Sequence, residues 1–338
     1  MISSRGKLLP ALRNKKIFSV SAEMFSFALL ALGALWCVGA FYFTWDFSVF
    51  ETSLWAFALT VVWSSGFFIM RARWMLLGIE AVVLLAFLLQ TPERRFAAES
   101  WNVECRKLPQ IEFLKDGKIS ITDIRDFQYR TPEDFTVNYK SDTFDPEKLE
   151  SMDVIFSYWH WSELVAHMLL RFNFSDGKAL AVSFEPRVPQ GKIGGCFFPG
   201  VYRLYGQMML LATPEDIIDL RTMYRGEDVY SYRTTAHGRE LKNIFNKIVR
   251  QADELENKNA FYHSITNNCT TGLFDALREA PELRGFDIRA VFNGLYDRCL
   301  FERGFLQCRN NESFASLKAR CFLGGINSGH DHGVQKIK

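Results

Sequence analysis

The sequence lacks every short signature that would announce a common enzyme class. It has no Gly-x-Ser-x-Gly elbow, no phosphate-binding P-loop, no His-Glu-x-x-His helix and no paired-glycine dinucleotide loop. Charge of one sign is lacking too: the formal net charge is +2, and no stretch combines dense Lys/Arg with interleaved aromatics. That excludes a nucleic-acid footprint. Cysteine is sparse, seven residues in all, and no two have Cys-x-x-Cys spacing. A zinc site is therefore poorly supported. Cys299, Cys308 and Cys321 are the closest set that could pair outside the cytoplasm. No internal repeat is visible, and the 31 phenylalanines fall in both halves of the chain, so they mark no site.

What is present is a division. Residues 17–90 are mostly apolar, whereas the rest reads like a soluble protein long enough to bury a core without staples. Met24–Trp45 is an uncharged run, as is Thr52–Met70; Trp74–Gln90 is apolar except for Glu80. A hydrocarbon core needs ~20 helical residues, so three spans are expected over 24–45, 52–70 and 74–90, with a re-entrant segment the alternative for the last and shortest. A cleaved signal peptide fits less well, because the apolar run is long, no Ala-x-Ala site follows it, and two further runs come after. Arg5, Lys7, Arg13, Lys15 and Lys16 precede the first span, and Arg71 and Arg73 lie between the second and third. The positive-inside rule then places the N-terminus in the cytoplasm and, with three spans, everything after Gln90 outside; Arg94 and Arg95 argue against this, and two spans would reverse it. Glu80 is costly in lipid: a functional carboxyl is one reading, and a carboxyl that is protonated or faces a neighbouring helix is the favoured one.

The expected organisation is a membrane anchor (1–92), an extracytoplasmic domain (93–325) and a flexible tail (326–338). Asp116-Gly117 and Asp176-Gly177 read as hairpin turns. Met152–Tyr158 reads as a strand, and Ser162–Leu170 as a helix start running into strand. Tyr205–Ala212 is an apolar run. Thr213-Pro214-Glu215-Asp216 carries the marks of a helix N-terminus. Residues 237–257 form a polar helix with Leu241, Ile244, Phe245 and Ile248 on one face. A further helix is expected from Thr270 to Glu279. The class is α+β.

Cys269 follows Thr266-Asn267-Asn268 and precedes the amphipathic Leu273-Phe274 and Leu277. Cap-forming residues there place it near a helix N-terminus, where a thiolate is favoured. A thiolate is a nucleophile and needs a base. His167 stands alone among apolar residues; His263, six residues before Cys269, competes with it. His160 and His237 lack distinguishing context, and His330 and His332 lie in the tail. Glu185, at a strand end, is a candidate to orient a histidine. Arg187, Arg221, Arg225 and Asn268 are candidate substrate-binding residues. Asp228, Asp297 and Arg298 are open between binding and bracing.

Several blocks, in one order, resemble the Lnb N-terminal periplasmic domain family: Asp126–Thr131, Phe156–Trp159, Ala166-His167, Asp176–Leu180 running to Ser183–Arg187, Leu220–Tyr230 and Thr266–Thr271, over roughly residues 100–325. The resemblance implies a permuted papain/NlpC-type thiol fold, with His before Cys, and the activity of a lipoprotein N-acyltransferase. Cys269 would be the nucleophile, His167 its base and Glu185 the orienter. Backbone N–H groups at the helix start would hold the oxyanion. The implied partners are a phospholipid acyl donor, a lipoprotein or other amine acceptor, and a bacterial inner membrane with the domain in the periplasm. No cofactor or metal is implied. One departure is Gly194–Pro199, which stands where a longer polar loop is expected at the substrate entrance. A wall-directed cysteine hydrolase and a non-enzymatic interaction domain are the alternatives.

Overall fold

The computed structural model describes residues 24–26, 28–44, 49–68, 70–97, 99–159, 162–194 and 197–325. His160, Cys196, His330, His332, the basic residues before the first span and the 326–338 tail lie outside them. The chain divides into two compact units: Met1–Arg95 with Tyr202–Leu204, and Phe96–Val201 with Tyr205–Lys338.

Among its described residues the first unit is mainly helical. Helix α1 covers Met24–Phe43, α2 Val49–Phe68 and α3 Met70–Leu88, followed by the short α4, Pro92–Phe96. Among the described residues, α1 is the one helix long and apolar enough to cross a membrane; the apolar stretch of α3 is the shorter Met75–Leu88. Phe87 of α3 meets Trp36 of α1 edge-on, with centroids 5.1 Å apart. The Glu80 carboxyl rests on Gly33 of α1, where any Cβ would collide with it. Glu80 thus faces a neighbouring helix, as expected.

The second unit is α+β, as the alternation of strand and helix signals predicts. Its strands are β1 (Gln110–Phe113), β2 (Ile119–Arg125), β3 (Gln128–Tyr129), β4 (Phe135–Thr136), β5 (Tyr139–Phe144), β6 (Leu149–Trp159), β7 (Ser162–Phe174), β8 (Ala179–Arg187), β9 (Gly206–Ala212), β10 (Asp228–Arg233) and β11 (Phe322–Gly324). A nine-stranded mixed sheet runs β1-β2-β9-β8-β7-β6-β10-β11, with β5 also on β2. Strands β2 and β9 are parallel; their neighbours are antiparallel.

Both hairpin turns form where Asp-Gly predicts them, joining β1 to β2 and β7 to β8. Gly177 has φ +83°, a left-handed value that disfavours other side chains. The expected helix start at Ser162 does not form; the whole of Ser162–Phe174 is strand. The reason is position. Strand β7 lies between β6 and β8 and is covered on both faces, so Ala166–Leu170 is buried without alternation. A buried central strand and a buried helix give the same apolar run.

Two short helices follow β8, α5 (Phe197–Val201) and α6 (Pro214–Asp219), and after β10 comes the long α7 (Gly238–Asn257). Thr213 caps α6 by accepting the Asp216 N–H at 3.3 Å. Asp216 is buried and binds Arg125 of β2 at 2.7 Å and the Phe127 N–H at 2.6 Å, which pins α6 to the sheet. Helix α7 buries Leu241, Ile244, Phe245 and Ile248, as their spacing predicts, and Phe245 packs on Phe172 and Phe174. Each such side chain contributes about 1.5–3 kcal/mol relative to exposure.

The helix expected over Thr270–Glu279 is shorter than its pattern. A 3-10 turn at Thr271–Leu273 leads into a single α-turn, α8, Phe274–Leu277. Helices α9 (Tyr296–Glu302) and α10 (Phe314–Arg320) close the domain. The six described cysteines, Cys299, Cys308 and Cys321 among them, are unpaired. Asp297 braces the fold: its buried carboxylate accepts from Tyr158 at 2.6 Å and Tyr232 at 3.0 Å.

Candidate active site

His167 and Glu185 meet because of the hairpin between them. Leu169 pairs with Ser183 across β7 and β8. Two residues further on, on the same face, the register sets His167 opposite Glu185. The His167 Nε2 lies 3.1 Å from Glu185 Oε1. Ser183, one pleat away on β8 and fully buried, completes the link: its Oγ is 2.6 Å from His167 Nε2 and donates to Glu185 Oε1 at 2.8 Å. Arg221 donates to the same carboxylate oxygen at 3.1 Å.

With Nε2 engaged by Glu185 and Ser183, the imidazole also acts electrostatically on the neighbouring Cys269 thiol. Cys269 sits in the turn before the 3-10 segment. Asn268 shapes that turn: its Oδ1 accepts the N–H groups of Thr270 and Thr271 at 2.9 and 3.0 Å, and its carbonyl accepts that of Gly272 at 2.8 Å. The side chain of Asn268 is therefore a cap, held in place by its own backbone neighbours. These bonds spend the Thr270, Thr271 and Gly272 N–H groups, part of the set at the helix start expected to hold an oxyanion.

A different donor stands beside the thiol. The Asn293 Nδ2 donates to Cys269 Sγ at 3.2 Å, while its Oδ1 accepts the Ala166 N–H at 3.1 Å. The second bond fixes which end of the amide faces sulfur. Gly294 makes this placement possible, since a Cβ there would overlap the Glu163 carbonyl at the start of β7. Neither Asn293 nor Ser183 was legible as a site residue; each is a common polar type whose partners are far away in the chain.

Electrostatics favour the charged forms. Burial pulls the His167 pKa down, but the Glu185 charge and Cys269 outweigh it, and the value rises to about 9. Burial pushes the Cys269 thiol up, yet His167 and the Met168 backbone N–H bring it below its ordinary value. Burial also raises Glu185, but His167, Arg221 and Ser183 hold it well below the carboxylate range. These shifts favour a thiolate–imidazolium pair, of the kind that attacks acyl carbons.

The three residues open onto a cavity of about 650 Å³. Arg221, Arg225 and Asn268 line it with them. Arg187 is turned elsewhere: it donates to the carbonyls of Cys105 and Arg106 at 3.1 and 2.8 Å and lies over the Trp101 ring. His263 is used in its own turn, accepting the Ile265 and Thr266 N–H groups. Asp228 and Arg298 do not line the cavity. Phe197 lines it, and Phe197, Phe198 and Ile193 are exposed at 53%, 63% and 79%. Among the described residues no cluster of His, Cys, Asp and Glu could hold a metal.

Residues 135–294 match the family model of the Lnb N-terminal periplasmic domain. The matched stretch contains His167, Ser183, Glu185, Cys269 and Asn293; the Asp126–Thr131 block precedes it. No curated protein and no solved structure matches the chain.

Proposed function

Over residues 135–294 the chain belongs to the Lnb N-terminal periplasmic domain family, and from that premise we propose that it is a membrane-anchored thiol acyltransferase. The observation that carries the proposal is the Cys269–His167–Glu185 arrangement, with a depressed thiol pKa and a raised imidazole pKa. His precedes Cys in the chain, which suits a permuted papain/NlpC-type thiol enzyme.

The Cys269 thiolate attacks an ester carbonyl of a membrane phospholipid, forming a C–S bond. Asn293 Nδ2, already beside the sulfur, donates to the developing oxyanion. His167 gives its proton to the leaving alcohol oxygen as the C–O bond breaks. An amine then attacks the thioester and loses a proton to His167. The C–N bond forms, the C–S bond breaks and the thiolate returns. The acceptor is the N-terminal amine of a diacylglyceryl-modified lipoprotein. Glu185 and Ser183 hold the imidazole in one orientation, the part a carboxylate takes in a triad. The exposed Phe197, Phe198 and Ile193 beside the cavity suit an apolar substrate.

The anchor serves this chemistry by keeping the thiol where acyl donors are concentrated. We place the chain in a bacterial inner membrane with several spans and the domain in the periplasm. A compartment-sensitive reporter fused after Gln90 tests this; a cytoplasmic signal removes the lipoprotein acceptor. To test the reaction, purified protein is incubated with phospholipid and a diacylated lipopeptide, and the peptide mass is followed. A gain of one acyl chain is expected. Free fatty acid without acylated peptide would identify a hydrolase, and no consumption of phospholipid would favour a wall-directed hydrolase or an interaction domain.

A further inference from the structure

Two buried polar groups in the cavity lack partners. The Tyr129 hydroxyl and the Arg221 Nε make no hydrogen bond, although Tyr129 and Arg221 are only 9% and 4% exposed. Both residues line the cavity. A buried donor left unmet is costly, so two in one cavity point to a group that arrives from outside. Arg225 joins them. It lines the same cavity, and its nearest carboxylate oxygen, on Glu227, is 3.8 Å away, beyond hydrogen-bond distance. The other Glu227 oxygen is taken by the Ser157 hydroxyl and stays 4.0 Å from Arg221 Nε. The Arg225 side chain is 44% exposed, so its guanidinium is open to an entering anion. Arg125, also in the lining, is not available, because Asp216 binds it through both Nε and Nη2.

We propose that Tyr129, Arg221 and Arg225 form a subsite for a phosphate ester. Guanidinium groups and a phenol supply donors on three separate side chains, which suits a tetrahedral oxyanion with several acceptor oxygens. The location suits the acyl donor. Arg221 Nη2 holds Glu185 Oε1 at 3.1 Å, and the same oxygen holds His167, so the subsite adjoins the triad. In a glycerophospholipid the phosphorus is a few bonds from the ester carbonyls. A phosphate on Arg221 and Arg225 brings such a carbonyl towards Cys269. The identity of the occupant as the acyl donor rests on the acyltransfer reading; the subsite itself does not.

The test uses the full-length protein in detergent and follows alkylation of Cys269 by the neutral reagent iodoacetamide. The probes are phosphatidylglycerol in mixed micelles, diacylglycerol with the same chains, and glycerol 3-phosphate. Each variant is compared with its own unprotected rate, and thermal melting identifies any that misfold. Phosphatidylglycerol is expected to protect at lower concentration than diacylglycerol. Its half-protecting concentration is expected to rise about tenfold in Tyr129→Phe and in Arg225→Gln. Protection by glycerol 3-phosphate at a comparable concentration, with the same dependence on both variants, supports the subsite and makes a free phosphate ester its occupant. Equal protection by diacylglycerol and phosphatidylglycerol, unchanged in the variants and with none from glycerol 3-phosphate, overturns the proposal. Alkylation needs no turnover, so a protein that transfers no acyl group still answers the question.

Discussion

Replacing Glu185 by Gln keeps the size of the side chain and one acceptor oxygen, and removes the charge that holds His167 and Arg221. In the wild type the His167 pKa stands at about 9, against an ordinary 6.5. Without the carboxylate, burial and the Arg221 charge act on the imidazole, and both lower it. A fall to the ordinary value or below is a change of at least about two units, ~3 kcal/mol less support for imidazolium. The raised pKa stabilises the ion pair from the depressed Cys269 pKa up to about pH 9, where His167 deprotonates. The two groups titrate as a pair. In Glu185→Gln the neutral pair dominates near neutrality, and the thiolate population at about pH 7.5 falls tenfold or more. The assay is the pH profile of Cys269 alkylation by iodoacetamide, read by peptide mass. A broad neutral plateau is expected for the wild type, and a profile that rises only at alkaline pH for the variant. Arg221 loses a buried partner, so melting under the same conditions must accompany the measurement. A variant that melts like the wild type and has the same alkylation profile would refute the electrostatic account of the site.

Three further predictions concern the groups around the thiol. Asn293→Ala should slow thioester formation by about 10²–10³-fold if its amide stabilises the oxyanion, with little change in KM; a burst rate equal to wild type removes that role. Gly294→Ala forces the turn away from the β7 backbone and should cost about 1–3 kcal/mol in urea denaturation. It should also slow alkylation of Cys269 through the displaced Asn293, whereas unchanged stability would contradict the close packing. Asp297→Ala strands the buried Tyr232 hydroxyl and the Lys318 ammonium 3.3 Å away, while Tyr158 keeps the Gly294 carbonyl at 2.8 Å. A loss of about 3–5 kcal/mol is expected, and a loss below about 1 kcal/mol would mean that water replaces the carboxylate without penalty.

Local chemistry made much of the fold legible. The α7 stripe, the Thr213 cap and the two Asp-Gly turns depend on neighbours within a few residues, and each lies where its pattern put it. The hairpin at Asp176-Gly177 carried more than a turn. Its register alone sets His167 against Glu185, so the pairing was already implied by the turn's position. Central burial hid β7, since an apolar run covered on both faces loses its alternation. The 3-10 turn after Cys269 shortened the expected helix, because amphipathic spacing does not distinguish one turn from three. Ser183 and Asn293 were out of reach for another reason. Their roles arise from contacts 16 and 24 residues away along the chain, between residue types that occur in any surface loop.

The central claim is that Cys269 carries an acyl group during turnover. Incubation with acyl-labelled phospholipid, followed by denaturation and peptide mapping, tests it directly. The account predicts label on the Cys269 peptide that hydroxylamine releases and that Cys269→Ser abolishes. Full lipopeptide acylation by Cys269→Ser, or turnover with label on no cysteine, would contradict it.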